Sequence, residues 1–140
     1  MTEEALIPAV PFKNCPIRTS LGVLGKKWTM LIMRDIGFLK VNRFNEILRT
    51  LPGLTPRVLS MRLIELQKHG FIKQIEVRRR PKLVKWGLTE KGRDTLPILM
   101  SFIAFGSRWY SDVVFQDKLP RTPEELFPKR VKFEPIIKNV

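Results

Sequence analysis

A mainly α fold carrying one small β-hairpin, arranged as a winged helix-turn-helix, is the class this sequence predicts, on three observations. Two amphipathic segments, 43–50 and 55–69, are separated only by Leu51-Pro52-Gly53-Leu54. After Gly70 the hydrophobic period changes from about 3.6 to about 2 over two short runs rich in Ile, Val, Leu and Trp. Between those runs stands the basic loop Arg78-Arg79-Arg80-Pro81-Lys82. A tight helix pair followed by a hairpin makes a winged helix, here with further helices on its N- and C-terminal sides.

Residues 1–14 carry Pro8 and Pro11 and read as an arm. Asn14-Cys15-Pro16 reads as a helix start, Asn capping and Pro in the first turn. Ile17, Leu21 and Leu24 follow at helical spacing, and Gly25 is expected to end the helix. A second helix is predicted over 27–37, with Trp28, Leu31, Ile32 and Ile36 on a common face, then a turn over 38–42. The helix over 43–50 offers Phe44, Ile47 and Leu48 to a core. Thr55-Pro56 restarts the chain as a capped helix. On it Leu59, Leu63 and Leu66 fall within about 60° of one another at roughly 100° per residue. Arg57, Ser60, Met61, Ile64 and Lys68 fall opposite, and His69-Gly70 closes the helix. Strands are predicted over 71–77 and 83–88, with Val84, Trp86 and Leu88 on one side.

A long C-terminal helix is predicted over 89–111, capped at Thr89-Glu90 and bent near Pro97. Leu96, Leu99, Met100, Ile103 and Tyr110 form one apolar stripe; Ile98, Phe102, Phe105 and Trp109 form another. A helix apolar on both sides needs cover on both. A small winged helix covers one, so the second stripe predicts a partner subunit. The domain therefore runs over 15–111, followed by an extension over 112–140 in which Thr122-Pro123-Glu124-Glu125 caps a short helix.

Charge points to a polyanion. Lys and Arg number 26 against 13 Asp and Glu, a net charge of +13. From Thr55 to Arg93 there are eleven basic residues and three acidic ones, a surplus of +8 in under a third of the chain. Other classes fit poorly. Thr2-Glu3-Glu4 is not a positive signal-peptide n-region. The longest apolar run, 96–105, is short of the roughly 20 residues that span a bilayer. A cytoplasmic protein without membrane contact is expected. One Cys and one His exclude an internal disulfide framework and a Cys/His zinc site, so no metal or cofactor is predicted. Scattered acids and the lack of a Gly-rich phosphate loop argue against an enzyme.

The helix over 55–69 is the candidate recognition helix. A major groove admits one α-helix, whose early residues reach base edges. Arg57 suits a bidentate contact to guanine, Ser60 can donate or accept, and Met61 or Ile64 can meet a thymine methyl; Thr55 and Lys68 flank them. Arg78, Arg79, Arg80 and Lys82 on a narrow wing can track phosphates or enter a minor groove. Arg43 and Lys26-Lys27 are further phosphate candidates. The alternatives are a charged hairpin tip that merely stays soluble, or a winged helix that binds nucleic acid non-specifically as an architectural chromatin protein.

At these residues the chain resembles the HxlR family of winged-helix regulators, relatives of the MarR group, from Cys15 to about Trp109. The matching pieces are Cys15-Pro16, Leu24-Gly25-Lys26-Lys27-Trp28, Leu31-Ile32, Arg43-Phe44-Asn45-Glu46-Ile47 and Leu51-Pro52-Gly53-Leu54. They continue with Leu63, Glu65, Leu66, Gly70 and Leu88-Thr89-Glu90-Lys91-Gly92-Arg93. The resemblance implies a homodimeric transcription factor on double-stranded DNA with a pseudo-palindromic operator. It implies that the N-terminal helix, with Ile17 and Leu21, pairs with the long C-terminal helix across a two-fold axis. It also implies a redox or electrophile sensor at Cys15, the Cys before the matching Pro. A helix N-terminus near Lys13 and Arg18 would favour a thiolate there; the plainer role is a small residue at a dimer contact. The effector, if a small molecule, is not indicated. This chain departs from the family pattern in its more basic wing and its longer extension.

Overall fold

The computed structural model describes residues 3–129; residues 1–2 of the arm and 130–140 of the extension lie outside the described part. Its helices are α1 Pro16–Leu24, α2 Thr29–Arg34, α3 Phe44–Thr50, α4 Pro56–Lys68, α5 Glu90–Arg93, α6 Leu96–Trp109, α7 Ser111–Val114 and α8 Pro123–Leu126. A π-helical turn, Asp35–Leu39, continues α2, and strands β1 Ile72–Arg79 and β2 Lys82–Leu88 stand between α4 and α5.

Residue chemistry sets α4 directly. Val58 N donates to Thr55 Oγ1 at 3.2 Å and Pro56 fills the first turn. Leu59, Leu63 and Leu66 are buried against Ile32, Met33, Ile36 and Ile47, and Phe71, Ile72, Trp86, Leu96 and Leu99 complete the core. Gly70 takes φ +79, a left-handed value that a side chain would resist. Phe71 N then bonds back to Leu66 O at 2.9 Å and turns the chain into β1.

The hairpin pairs antiparallel from Ile72 opposite Leu88 to Arg79 opposite Lys82, with a register shift between Gln74 and Glu76. The strands are longer than predicted, because the ladder continues past Val77 with Arg78 opposite Leu83 and Arg79 opposite Lys82. The wing loop expected over 78–82 therefore shrinks to a turn at Arg80-Pro81, joined by a cis peptide. A one-residue bridge pairs Arg43 with Lys85, and Trp86 N donates to Asn42 O at 3.0 Å. The wing is thereby fastened to the start of α3.

Elsewhere the structure corrects the sequence reading. Cys15, not Asn14, is the N-cap of α1, and no side chain caps it. The second helix begins at Thr29, with Trp28 at φ 79, and Leu31 faces outward. Its end is a π turn that opens on Asp35, whose carboxylate is fully buried and held by two side chains. Arg34 Nε and Nη2 donate to Oδ1 at 3.0 and 2.8 Å, and the Thr50 hydroxyl at the end of α3 donates to Oδ2. The helix predicted over 89–111 is broken, not bent. Pro97 lacks an N–H and its ring opposes the carbonyl four residues back, while the buried Thr95 hydroxyl donates to Gly92 O at 2.6 Å and closes α5. Tyr110 is exposed rather than part of the inner stripe.

The extension folds back on α6 through one arginine. Arg121 Nη1 donates to Asp117 Oδ1 at 2.8 Å and to Leu119 O at 3.1 Å, and Nη2 pairs with Asp117 Oδ2. The guanidinium lies 4.6 Å from the Phe115 ring centre, and Arg121 N reaches Ser107 O at 3.4 Å. This pairing lowers the Asp117 carboxyl to about 2. Thr122 caps α8 as expected, its Oγ1 accepting from Glu125 N at 3.3 Å.

Candidate nucleic-acid interface

A groove of about 660 Å³ opens where α3, α4 and β2 meet. Arg43, Asn45 and Arg49 approach it from α3, Ser60 and Ile64 from α4, and Lys82 from β2. Of the residues selected from sequence, the groove gathers Arg43, Ser60, Ile64 and Lys82. Arg57, Met61 and Lys68 continue the exposed face of α4 beyond it. The Thr55 hydroxyl is committed to the cap. Asn45 and Arg49 were missed. They stand four apart, facing away from Ile47, and that polar i, i+4 pair was the available signal.

Pairing within the protein thins the charge that composition suggests. Glu76 holds two wing cations, Arg78 at 3.3 Å and Lys85 at 3.2 Å. Arg43 lies 3.8 Å from Glu46. Lys26 pairs with Glu65 and Arg62 Nε donates to Lys27 O at 3.0 Å, so the α1–α2 turn is tied to α4. Lys27 rests 5.3 Å from the Trp28 ring centre. Among the described residues Arg49, Arg57, Lys68, Arg79, Arg80 and Lys82 make no ion pair. These unpaired cations carry the field of the face.

A second, apolar groove of about 580 Å³ lies between α1, the α1–α2 turn and α6. Ile17, Leu21, Trp28, Leu31, Ile98 and Phe102 line it, and Phe105 and Trp109 continue its α6 edge. Along α6, Ile98, Phe102, Phe105 and Trp109 are 39–64% exposed, so the second stripe has no full cover among the described residues. Cys15 is exposed at the N-cap of α1, where arm and helix meet. Among the described residues no helix is long and apolar enough to cross a membrane, and no group of three or more His, Cys, Asp or Glu could hold a metal ion.

The sequence pattern of the HxlR-like helix-turn-helix matches residues 23–114, from the end of α1 through α7. The chain belongs to the HxlR-like family. It is a helix-turn-helix transcriptional regulator, and its relatives carry the same description. The HTH-type transcriptional regulator YdzF of Bacillus subtilis is 34% identical over 94 residues, covering 67% of this chain and 86% of that protein. The reduced form of the transcriptional regulator YodB from B. subtilis superposes with a TM-score of 0.56 at 28% identity, covering 69% of this chain and 94% of that one. The redox regulator HypR in its oxidised form gives 0.57 at 34% identity, over 66% and 94% of the two chains. The HxlR-like match stops at residue 114, so the Arg121 fold-back lies beyond the family's shared part.

Proposed function

We propose that the protein is a homodimeric, sequence-specific regulator that binds a pseudo-palindromic site on double-stranded DNA. The observation that carries the reading is the face shared by α3, α4 and β2, where the unpaired cations surround an exposed helix surface holding Arg57, Ser60, Met61 and Ile64. The α4 residues read base edges in the major groove. Arg79, Arg80 and Lys82 contact the backbone or the adjacent minor groove, with Arg43 and Lys68 on flanking phosphates. Arg78 is held by Glu76 and contributes less. Cytoplasmic residence and DNA as the partner follow from the same reading.

The test is affinity for a fragment upstream of the protein's own gene against random duplex, across salt. A regulator holds a specificity ratio of about 10³ or more. Equal affinities with only a steep salt slope would leave the architectural alternative. Arg57→Ala relaxes discrimination at one base step, at a cost of about 1–3 kcal/mol, whereas Arg79→Ala or Arg80→Ala weakens all sequences alike.

The exposure of Cys15 at a helix start, with relatives recorded in reduced and oxidised forms, supports reading it as the redox- or electrophile-responsive residue. With no second Cys in the chain, a disulfide there joins two subunits or a small thiol. Diamide or quinone then changes operator affinity in the parent protein and not in Cys15→Ser. A response that survives the substitution removes the assignment.

A further inference from the structure

We propose that the N-terminal arm of each chain docks on the apolar α1–α6 groove of a second copy and straps the two subunits together, an inference that rests on the homodimer reading above. Leu6, Ile7, Val10 and Phe12 are 61–99% exposed, so the arm's large apolar side chains stand open among the described residues. An uncovered series of this kind marks an interaction surface. The groove begins where the arm ends, because Pro16 and Ile17 form its rim.

Area favours the second copy as occupant. An aromatic side chain buries about 150–250 Å². Phe102, Phe105 and Trp109 are a little over half open, so together they offer on the order of 270–450 Å². Ile17, Leu21 and Ile98 add a smaller share. That total falls short of the roughly 800 Å² per partner of a stable interface. The arm's four side chains supply the difference. Reach is sufficient, since the residues from Leu6 to Cys15 span about 30 Å when extended, more than the roughly 10–12 Å width of a helix. Pro8 and Pro11 stiffen the segment and lower the entropy lost on docking.

Charge points the same way. Ahead of the apolar residues the arm carries Glu3 and Glu4, whereas beside the groove stands Lys27, which makes no ion pair among the described residues; its neighbour Lys26 is held by Glu65. Arms that enter a DNA minor groove use Arg and Lys; this one has Lys13 against those two acids.

Sedimentation equilibrium on three full-length proteins and two deletions tests the idea. They are the parent, the deletion of residues 1–12, the arm variant Leu6→Ser/Ile7→Ser/Val10→Ser/Phe12→Ser, and the groove variant Phe102→Ser with and without residues 1–12. Both arm changes should raise the dimer Kd about tenfold or more with an unchanged far-UV circular dichroism spectrum. In the Phe102→Ser background, removing the arm should cost much less. An unchanged Kd in both arm variants overturns the strap. A loss of operator affinity and salt slope at constant dimer Kd assigns the arm to DNA and overturns it equally. A parent protein that is monomeric at micromolar concentration refutes the homodimer reading itself, a separate result.

Discussion

Gly92→Ala should be among the most damaging single-methyl additions in this chain. A Cβ at Gly92 would stand 2.1 Å from the Phe71 carbonyl oxygen, and 3.3 Å from Leu88 Cβ. To clear the carbonyl, α5 must move outward by about 1 Å, since real contacts stay above roughly 3 Å. That same carbonyl accepts from Thr89 N and Thr89 Oγ1, both at 3.1 Å, and Thr89 Oγ1 accepts from Gly92 N at 3.0 Å. The shift carries Thr89 with α5, so both of its bonds to the Phe71 carbonyl stretch past hydrogen-bonding range. Losing the two bonds costs about 2 kcal/mol, and residual overpacking about 1–3. Helix propensity returns about 1 kcal/mol. The net is a loss of roughly 2–4 kcal/mol, or about 6–15 °C in Tm for a chain of this size. Thermal melts followed by circular dichroism at fixed protein concentration measure it. A Tm within about 1 °C of the parent would refute the account of the α5 packing. The glycine of the Thr89-Glu90-Lys91-Gly92-Arg93 segment is thus explained by a close approach.

Three further outcomes follow from geometry. Thr55→Asp keeps a capping oxygen at the start of α4, so stability should hold within about 0.5 kcal/mol. Operator affinity should drop sharply, because a carboxylate then faces phosphate; fluorescence anisotropy and a melt on one sample separate the two effects. Thr50→Val withdraws the donor to the buried Asp35 Oδ2, a loss of about 1–3 kcal/mol in urea unfolding that Thr50→Ser should avoid; equal losses in both would show that the hydroxyl is idle. The depressed Asp117 carboxyl ties the extension to pH. Its contribution is complete above the ordinary value of 3.8 and disappears as pH falls toward about 2, when protonation frees Arg121. A carboxyl NMR titration of Asp117 with its midpoint at or above 3.8 would remove the proposed pairing.

Local signals carried much of the fold. Thr55-Pro56 with Leu59, Leu63 and Leu66 defines α4 without help from the rest of the chain, and the shift to period 2 after Gly70 announces the hairpin. The uncovered stripe Ile98, Phe102, Phe105 and Trp109 also needed only helical spacing. What stayed hidden depends on distant partners. The burial of Asp35 at the π turn after α2 is met by Thr50 from another helix. The Arg43–Lys85 bridge is one residue long and leaves no periodic trace. Likewise, no local pattern reveals that Glu76 takes up Arg78 and Lys85, or that Glu65 takes up Lys26. The candidate DNA face was therefore legible as a location and overcounted as a charge.

The Arg43–Lys85 bridge has a mechanical consequence on the DNA-binding reading. With β2 anchored on the start of α3 and β1 leaving directly from the end of α4, the distance between the recognition surface and the Arg80 tip is set before DNA arrives. Where that spacing departs from a straight duplex, the duplex has to supply the curvature that lets it touch both. DNA resists, with a persistence length near 150 base pairs, and bending a 20–30 base-pair site by 40–90° costs on the order of 1–6 kcal/mol. Base steps lying between the two contacts, untouched by any side chain, are then sorted by their stiffness. On the same reading, a protein with this preset spacing would select its operators partly by how willingly they bend.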